Sequence, residues 1–215
     1  MSKTAKANGV SETLDQIISI DRIAQETIRV PILGVSPLIM HKFSEKAKRQ
    51  MLDATQGRRT PKEPKDPRAE YESCLHHLGD GYGYPADAFK QATVGAARFY
   101  GKELTMTALN QFIFITGEVG DDGRQLVRIE GEPRMREDIV RVGRGGTDLR
   151  YRPEFYPWSA RVDVTYFSNA ITRETVLSAI DAGGLAIGVG DWRPERKGTF
   201  GTYRIDPEAD IEVLT

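Results

Sequence analysis

At 215 residues with 39% hydrophobic content, the chain can bury a full core without covalent staples, as one domain or as a main domain with an elaborate insertion. A formal net charge of −1 excludes a polycation, so any nucleic-acid site has to be a local basic patch on an acidic background. The single cysteine, Cys74, excludes an internal disulfide framework, and with no secretory h-region or bilayer-length apolar run the expectation is a cytoplasmic protein without membrane association.

Residues 1–20 carry no sustained period, although Leu14, Ile17 and Ile18 suit one amphipathic turn. They read as a flexible arm, either a mobile tail or a segment that docks on a neighbouring subunit. Residues 21–215 read as a single α+β domain. Thr27, Ile28, Arg29 and Val30 alternate, and Ile32 and Leu33 continue after Pro31, which predicts a strand over 26–35 with an edge or bulge at the proline. A helix is predicted from Ser44, with Phe43, Ala47, Met51 and Ala54 on a docking face.

The segment 56–68 (QGRRTPKEPKDPR) is rich in proline and basic residues. It is predicted to be extended and exposed, as a solvated loop or as a basic finger that grips phosphate through Arg58 and Arg59 or crosses to the next subunit. Residues 70–78 suit a short helix that gathers Cys74, His76 and His77. They lack the paired spacing of a zinc site, so neither metal nor cofactor is expected.

Residues 82–85 are strand-like, and Asp87 suits the cap of a helix over 88–100 with Phe89, Thr93, Ala96, Ala97 and Tyr100 on its inner side and Lys90 and Arg98 pointing outward. The runs 111–116 and 126–130, separated by a glycine- and aspartate-rich turn, predict a hairpin with an exposed tip. Residues 134–152 hold six arginines, Arg141 and Arg144 among them, with Gly143, Gly145 and Gly146. They read as a second flexible basic segment, solvated or in contact with phosphate or a subunit. Ala160, Val162, Val164 and Tyr166 alternate with polar residues, which makes 159–167 a strand. Thr172 caps a helix through Ala182, and Gly183 and Gly184 are expected to end it before an apolar strand at Leu185.

That β-α-β unit feeds into 183–205 (GGLAIGVGDWRPERKGTFGTYRI). Here Gly188, Gly190, Gly198 and Gly201 let the backbone bend or approach a ligand closely. Trp192 and Phe200 offer stacking faces, and Arg193, Arg196 and Lys197 supply phosphate-directed charge. The same residues also suit a glycine-bent hairpin whose aromatics are core. The pattern as a whole favours a modified ferredoxin-like or RNA-recognition-type antiparallel sheet with two to three packed helices and long basic insertions near 56–68 and 134–152.

Three separated stretches, Gly34-Val35-Ser36-Pro37-Leu38-Ile39, Tyr84-Pro85-Ala86-Asp87-Ala88-Phe89-Lys90 and the glycine-rich loop, together resemble the RAMP superfamily of CRISPR-associated RNA-binding proteins. In general layout the chain also looks like uncharacterised phage and prophage proteins. The resemblance implies a non-enzymatic binder of single-stranded RNA or DNA that assembles side by side as a homo-oligomer. Lys42, Lys46, Lys90, Arg193, Arg196 and Lys197 would then hold phosphates. A second class is a metal-independent endoribonuclease, because some relatives cut RNA with a histidine near the first helix, where His41 stands beside Lys42 and Lys46. A third is a phage structural or assembly protein whose basic loops lock subunits together.

Overall fold

A computed structural model describes residues 22–58, 64–102, 104–142 and 146–214, with their side chains except those of 45–47 and 142. The expected arm and the residues Arg59 and Arg144 lie outside the described residues, as does the side chain of Lys46. In chain order the elements are β1 (Gln25–Gly34), β2 (Leu38–Ile39), α1 (Glu45–Thr55), α2 (Pro67–Ser73), β3 (His77–Leu78), β4 (Gly81–Pro85) and α3 (Ala86–Gly95). A 3-10 turn (Ala96–Phe99) leads to α4 (Met106–Phe112), β5 (Ile113–Thr116), β6 (Glu118–Val119), β7 (Gln125–Glu130), β8 (Pro133–Val142), β9 (Gly146–Phe155) and β10 (Ser159–Phe167). Then come α5 (Arg173–Ala186), a second 3-10 turn (Pro194–Arg196), β11 (Tyr203–Ile205) and β12 (Glu212–Val213).

The fold is mixed α+β with two sheets. The larger runs β11-β1-β10-β7-β4-β3, with β12 beside β1, β5 beside β10 and β6 beside β7; the smaller runs β2-β9-β8. Every pairing is antiparallel. Alternation fixes which face is buried: Ile28, Val30 and Ile32 of β1 and Ala160, Val162, Val164 and Tyr166 of β10 point into the core. There they meet Phe89 and Thr93 of α3 and Val176, Ala179 and Ile180 of α5. Pro31 sits between the part of β1 paired with β11 and the part paired with β12, where the outer ladder is interrupted. The opposite face of the central strands is polar: Arg29 makes two bonds to Asp163 at 2.7 and 2.9 Å, beside a Thr27–Thr165 hydroxyl pair.

Three expectations are corrected. The helix after Thr172, whose hydroxyl does accept from the Thr175 amide, runs through Gly183 and Gly184 to Ala186, and no strand forms at Leu185. The glycines serve close packing instead of termination. A Cβ at 183 would lie 2.5 Å from the Ala92 carbonyl oxygen of α3, and one at 184 would lie 2.3 Å from that of Tyr203. Residues 134–142 and 146–152 form most of the strands of the hairpin β8–β9 in place of a flexible segment. Its charges are cross-strand partners, Arg136 facing Arg152 and Asp138 facing Arg150 in register, with Arg136 bonded to Glu154. Finally, the helix after Ser44 does not dock by its predicted face: Phe43 and Met51 are 49% and 60% exposed, and Ala54 is exposed as well. Its apolar stripe is too thin, among so many basic and amide side chains, to repay ordering against the body.

The shorter helix α2 starts at Asp66, which caps the Arg68 and Ala69 amides, and ends at Cys74. Burial pushes the Cys74 thiol up to about 11, so it is a core side chain and not a thiolate nucleophile. His76 is 3% exposed, sits edge-on to Tyr84, and its Nδ1 meets no hydrogen-bond partner among the described residues. Burial, aided by the Lys42 charge, pushes its pKa down to about 4 from 6.5. The folded state therefore resists protonation more than the unfolded chain does. The stability this provides is complete above pH 6.5 and is lost as the pH falls toward 4, by about 3 kcal/mol. Thermal melts across that range should show the loss, and His76→Phe, which removes the proton site but keeps a ring against Tyr84, should flatten it.

Candidate functional site

The glycine-rich loop is a folded lariat. Val189 N–H donates to the Gly201 carbonyl at 2.9 Å, Phe200 N–H to Trp192 at 3.1 Å, and Glu195 N–H back to Ile187 at 3.2 Å. Gly188, Gly190 and Gly201 all have positive φ, of 71°, 82° and 65°, so at these positions glycine relieves a strain that a side chain would suffer. The loop closes over the turn between β1 and β2: Asp191 N–H donates to Ile39 at 3.0 Å, Gly201 N–H to Pro37 at 2.8 Å and Val35 N–H to Thr202 at 2.8 Å. Ser36 and Thr202 share a hydroxyl bond of 2.7 Å, and the Trp158 indole donates to the Ser36 carbonyl at 2.9 Å. On its other side the loop borders the first turns of α3, with Gly188 and Gly190 lining a cavity together with Pro85, Asp87 and Ala88. The three stretches that carry the resemblance thus meet in one place.

Trp192 has φ of 55° and Lys197 of 62°. For a bulky aromatic this is an outlier that needs surrounding structure to hold it, and that structure comes from the hairpin. Because β9 pairs with β2, it carries Arg152 to the loop. The Arg152 guanidinium lies 4.1 Å from a Trp192 ring centroid, and Arg136 lies 4.9 Å from the Phe200 ring. Arg152, only 2% exposed, bonds Asp191 at 2.5 Å and Asp138 at 2.9 Å. Arg136 bonds Asp138 at 2.8 Å and Glu154 at 2.6 Å, and His41 Nδ1 lies 3.1 Å from Asp191 Oδ2, the oxygen that Arg152 also bonds. Burial pulls the Asp191 carboxyl upward, but the His41 hydrogen bond and the Arg152 charge outweigh it and hold its pKa below the ordinary carboxylate value.

Of the residues singled out from sequence, His41, Trp192, Arg193 and Phe200 come together here. Arg193 bonds Glu195 at 2.8 Å and the Gly190 carbonyl at 3.2 Å, which makes it a brace of the loop. Arg196 and Lys197 are exposed beside it and make no ion pair among the described residues. Gly198 approaches the Trp192 carbonyl so closely that a Cβ would lie 1.7 Å away. Others are elsewhere: Lys42 pairs with Asp122 at 3.3 Å, Lys90 lies 4.9 Å above the Phe114 ring, and Arg58 and Arg141 are exposed on α1's end and on β8. Asp191, Arg152, Asp138, Arg136 and Glu154 were missed. A signal existed in the alternation of opposite charges two residues apart within 136–138 and 152–154, which suits cross-strand pairs better than a loop. Among the described residues no group of three or more histidine, cysteine or acidic side chains is placed to hold a metal, and no helix is long and apolar enough to cross a membrane. Comparison with protein-family models and with curated proteins returned no match.

Proposed function

We propose that the chain is a non-enzymatic binder of single-stranded nucleic acid, RNA or DNA, related to the RAMP proteins, that assembles side by side along the strand. The observation that carries this reading is the glycine loop itself, clasped on one side by the β1–β2 turn and bordered on the other by the opening of α3, with Arg196 and Lys197 exposed on it and in no ion pair among the described residues. Strain held at Trp192 supports it too, since such outliers cluster at working sites. We read β1, α3, β7, β10, α5 and β11 as a β-α-β-β-α-β succession in the sheet order β11-β1-β10-β7. This is the ferredoxin-like plan, with the β8–β9 hairpin and the α1 region as insertions. The sheet face used for stacking in RNA-recognition domains has Arg29 and Asp163 paired on it here, so the stacking role falls to the loop aromatics. Exposed Ile139 and Met135 on the hairpin, at 76% and 55%, offer apolar surface to a neighbouring copy.

Filter binding of labelled single strands at low salt tests the proposal. Retention that is lost with duplex competitor absent and single-strand competitor present supports it; no retention of either RNA or DNA ends it. The recovered strands should run full-length on a denaturing gel. Shortened products would favour metal-independent cleavage, with His41 as base and Asp191 as the group that orients it.

A further inference from the structure

The cavity between α3 and the glycine loop has a volume of about 200 Å³, room for one flat heterocycle and less than a drug-sized pocket. Its floor is apolar, made by Ala92, Ile187 and Val189, all buried. Its polar edge is Asp87 and Gln91, one helical turn apart on α3, exposed, and bonded to no described residue. Arg193, already engaged by Glu195, closes the far side, and Tyr84 and Arg124 complete the polar lining. A slot with an apolar floor and, along one rim, hydrogen-bonding groups that no described residue engages suits a nucleobase, whose faces are apolar and whose edge is polar.

The identity of the rim groups sets which base fits. An ionised carboxylate only accepts hydrogen bonds, whereas an amide both donates and accepts. Adenine, cytosine and guanine present an exocyclic amine to such a pair, and cytosine N4–H in particular is a donor that aspartate reads. Thymine and uracil turn carbonyl oxygens to the same place, which the carboxylate repels. We propose that this cavity takes one base of the bound strand and selects for an exocyclic amine, with Asp87 as the specificity determinant and Gln91 as its partner. The inference rests on the single-strand reading above.

Fluorescence anisotropy with labelled oligo(dC) and oligo(dT) tests it, because both are weakly stacked pyrimidine strands of equal charge. The wild-type chain should bind oligo(dC) about 10-fold more tightly. Asp87→Ala, at an exposed position where a thermal melt checks that the fold persists, should bring the dC-to-dT ratio to about one. Any general gain in affinity from removing a negative charge cancels in that ratio. Equal wild-type affinities, or a preference that survives in Asp87→Ala, overturn the base pocket and leave single-strand binding standing. Absence of binding to both strands overturns both.

Discussion

Arg152→Ala is expected to cost about 3–5 kcal/mol of folding stability, the penalty for removing one partner of a buried ion pair. The side chain is 2% exposed and joins Asp138, itself 8% exposed, to Asp191. Alanine would leave the buried Asp138 with Arg136 as its remaining counter-charge and the partly exposed Asp191 with only His41, and would uncover the Trp192 ring. The urea midpoint should fall with an unchanged slope if only the native state is affected. Part of the cost is the orphaned charge and not the worth of the pair. The double variant Arg152→Met with Asp138→Asn should therefore lose less than Arg152→Ala alone, because methionine keeps contact with the ring and asparagine needs no counter-ion. A loss below about 1 kcal/mol for Arg152→Ala would place the network in the class of solvated surface pairs.

Gly201→Ala should be comparably severe but more local. Its φ is 65°, and a Cβ there would lie 1.6 Å from the Val189 carbonyl oxygen, a backbone atom that cannot rotate away. The same glycine donates to Pro37 and accepts from Val189, so making room breaks the clasp between loop and β1–β2 turn. The expected cost is roughly 3 kcal/mol, combining a strained backbone with lost hydrogen bonds. Strand binding should fall at least as steeply as stability, since the loop opens before the core does. Gly57→Ala is the matched control: it has φ of 72° and nothing within 4 Å of its Cβ, so only the left-handed conformation is penalised, by about 1 kcal/mol. If the two variants melt alike, the close approach at Gly201 has no energetic weight.

How much of this was legible in the chain depends on the range over which each element is specified. The strands β1 and β10 announce themselves because one face is buried and the other wet, so apolar residues recur with period two. The start of α5 is equally plain, because Thr172 is a local cap. Its end is not, because Gly183 and Gly184 are stop signals only if nothing packs against them, and the neighbour that needs the space, Ala92, is distant in sequence. The hairpin β8–β9 hid behind glycines and arginines whose partners lie on the opposite strand. At the site, the glycine loop was visible as a composition, and its bend positions followed from the glycines. The charge network was not visible, because Arg152 meets Asp138 and Asp191 across 14 and 39 residues, a distance that no local pattern spans.

Whether the glycine loop holds the backbone of a single strand is decided by the salt dependence of binding with and without the charges of Arg196 and Lys197, which make no ion pair among the described residues. Each phosphate contact to a single strand contributes about −0.7 to the slope of log K against log salt. Arg196→Ala with Lys197→Ala should bind more weakly at low salt and with a slope shallower by about 1.4. An unchanged slope, or no binding by the wild-type chain at low salt, would contradict it.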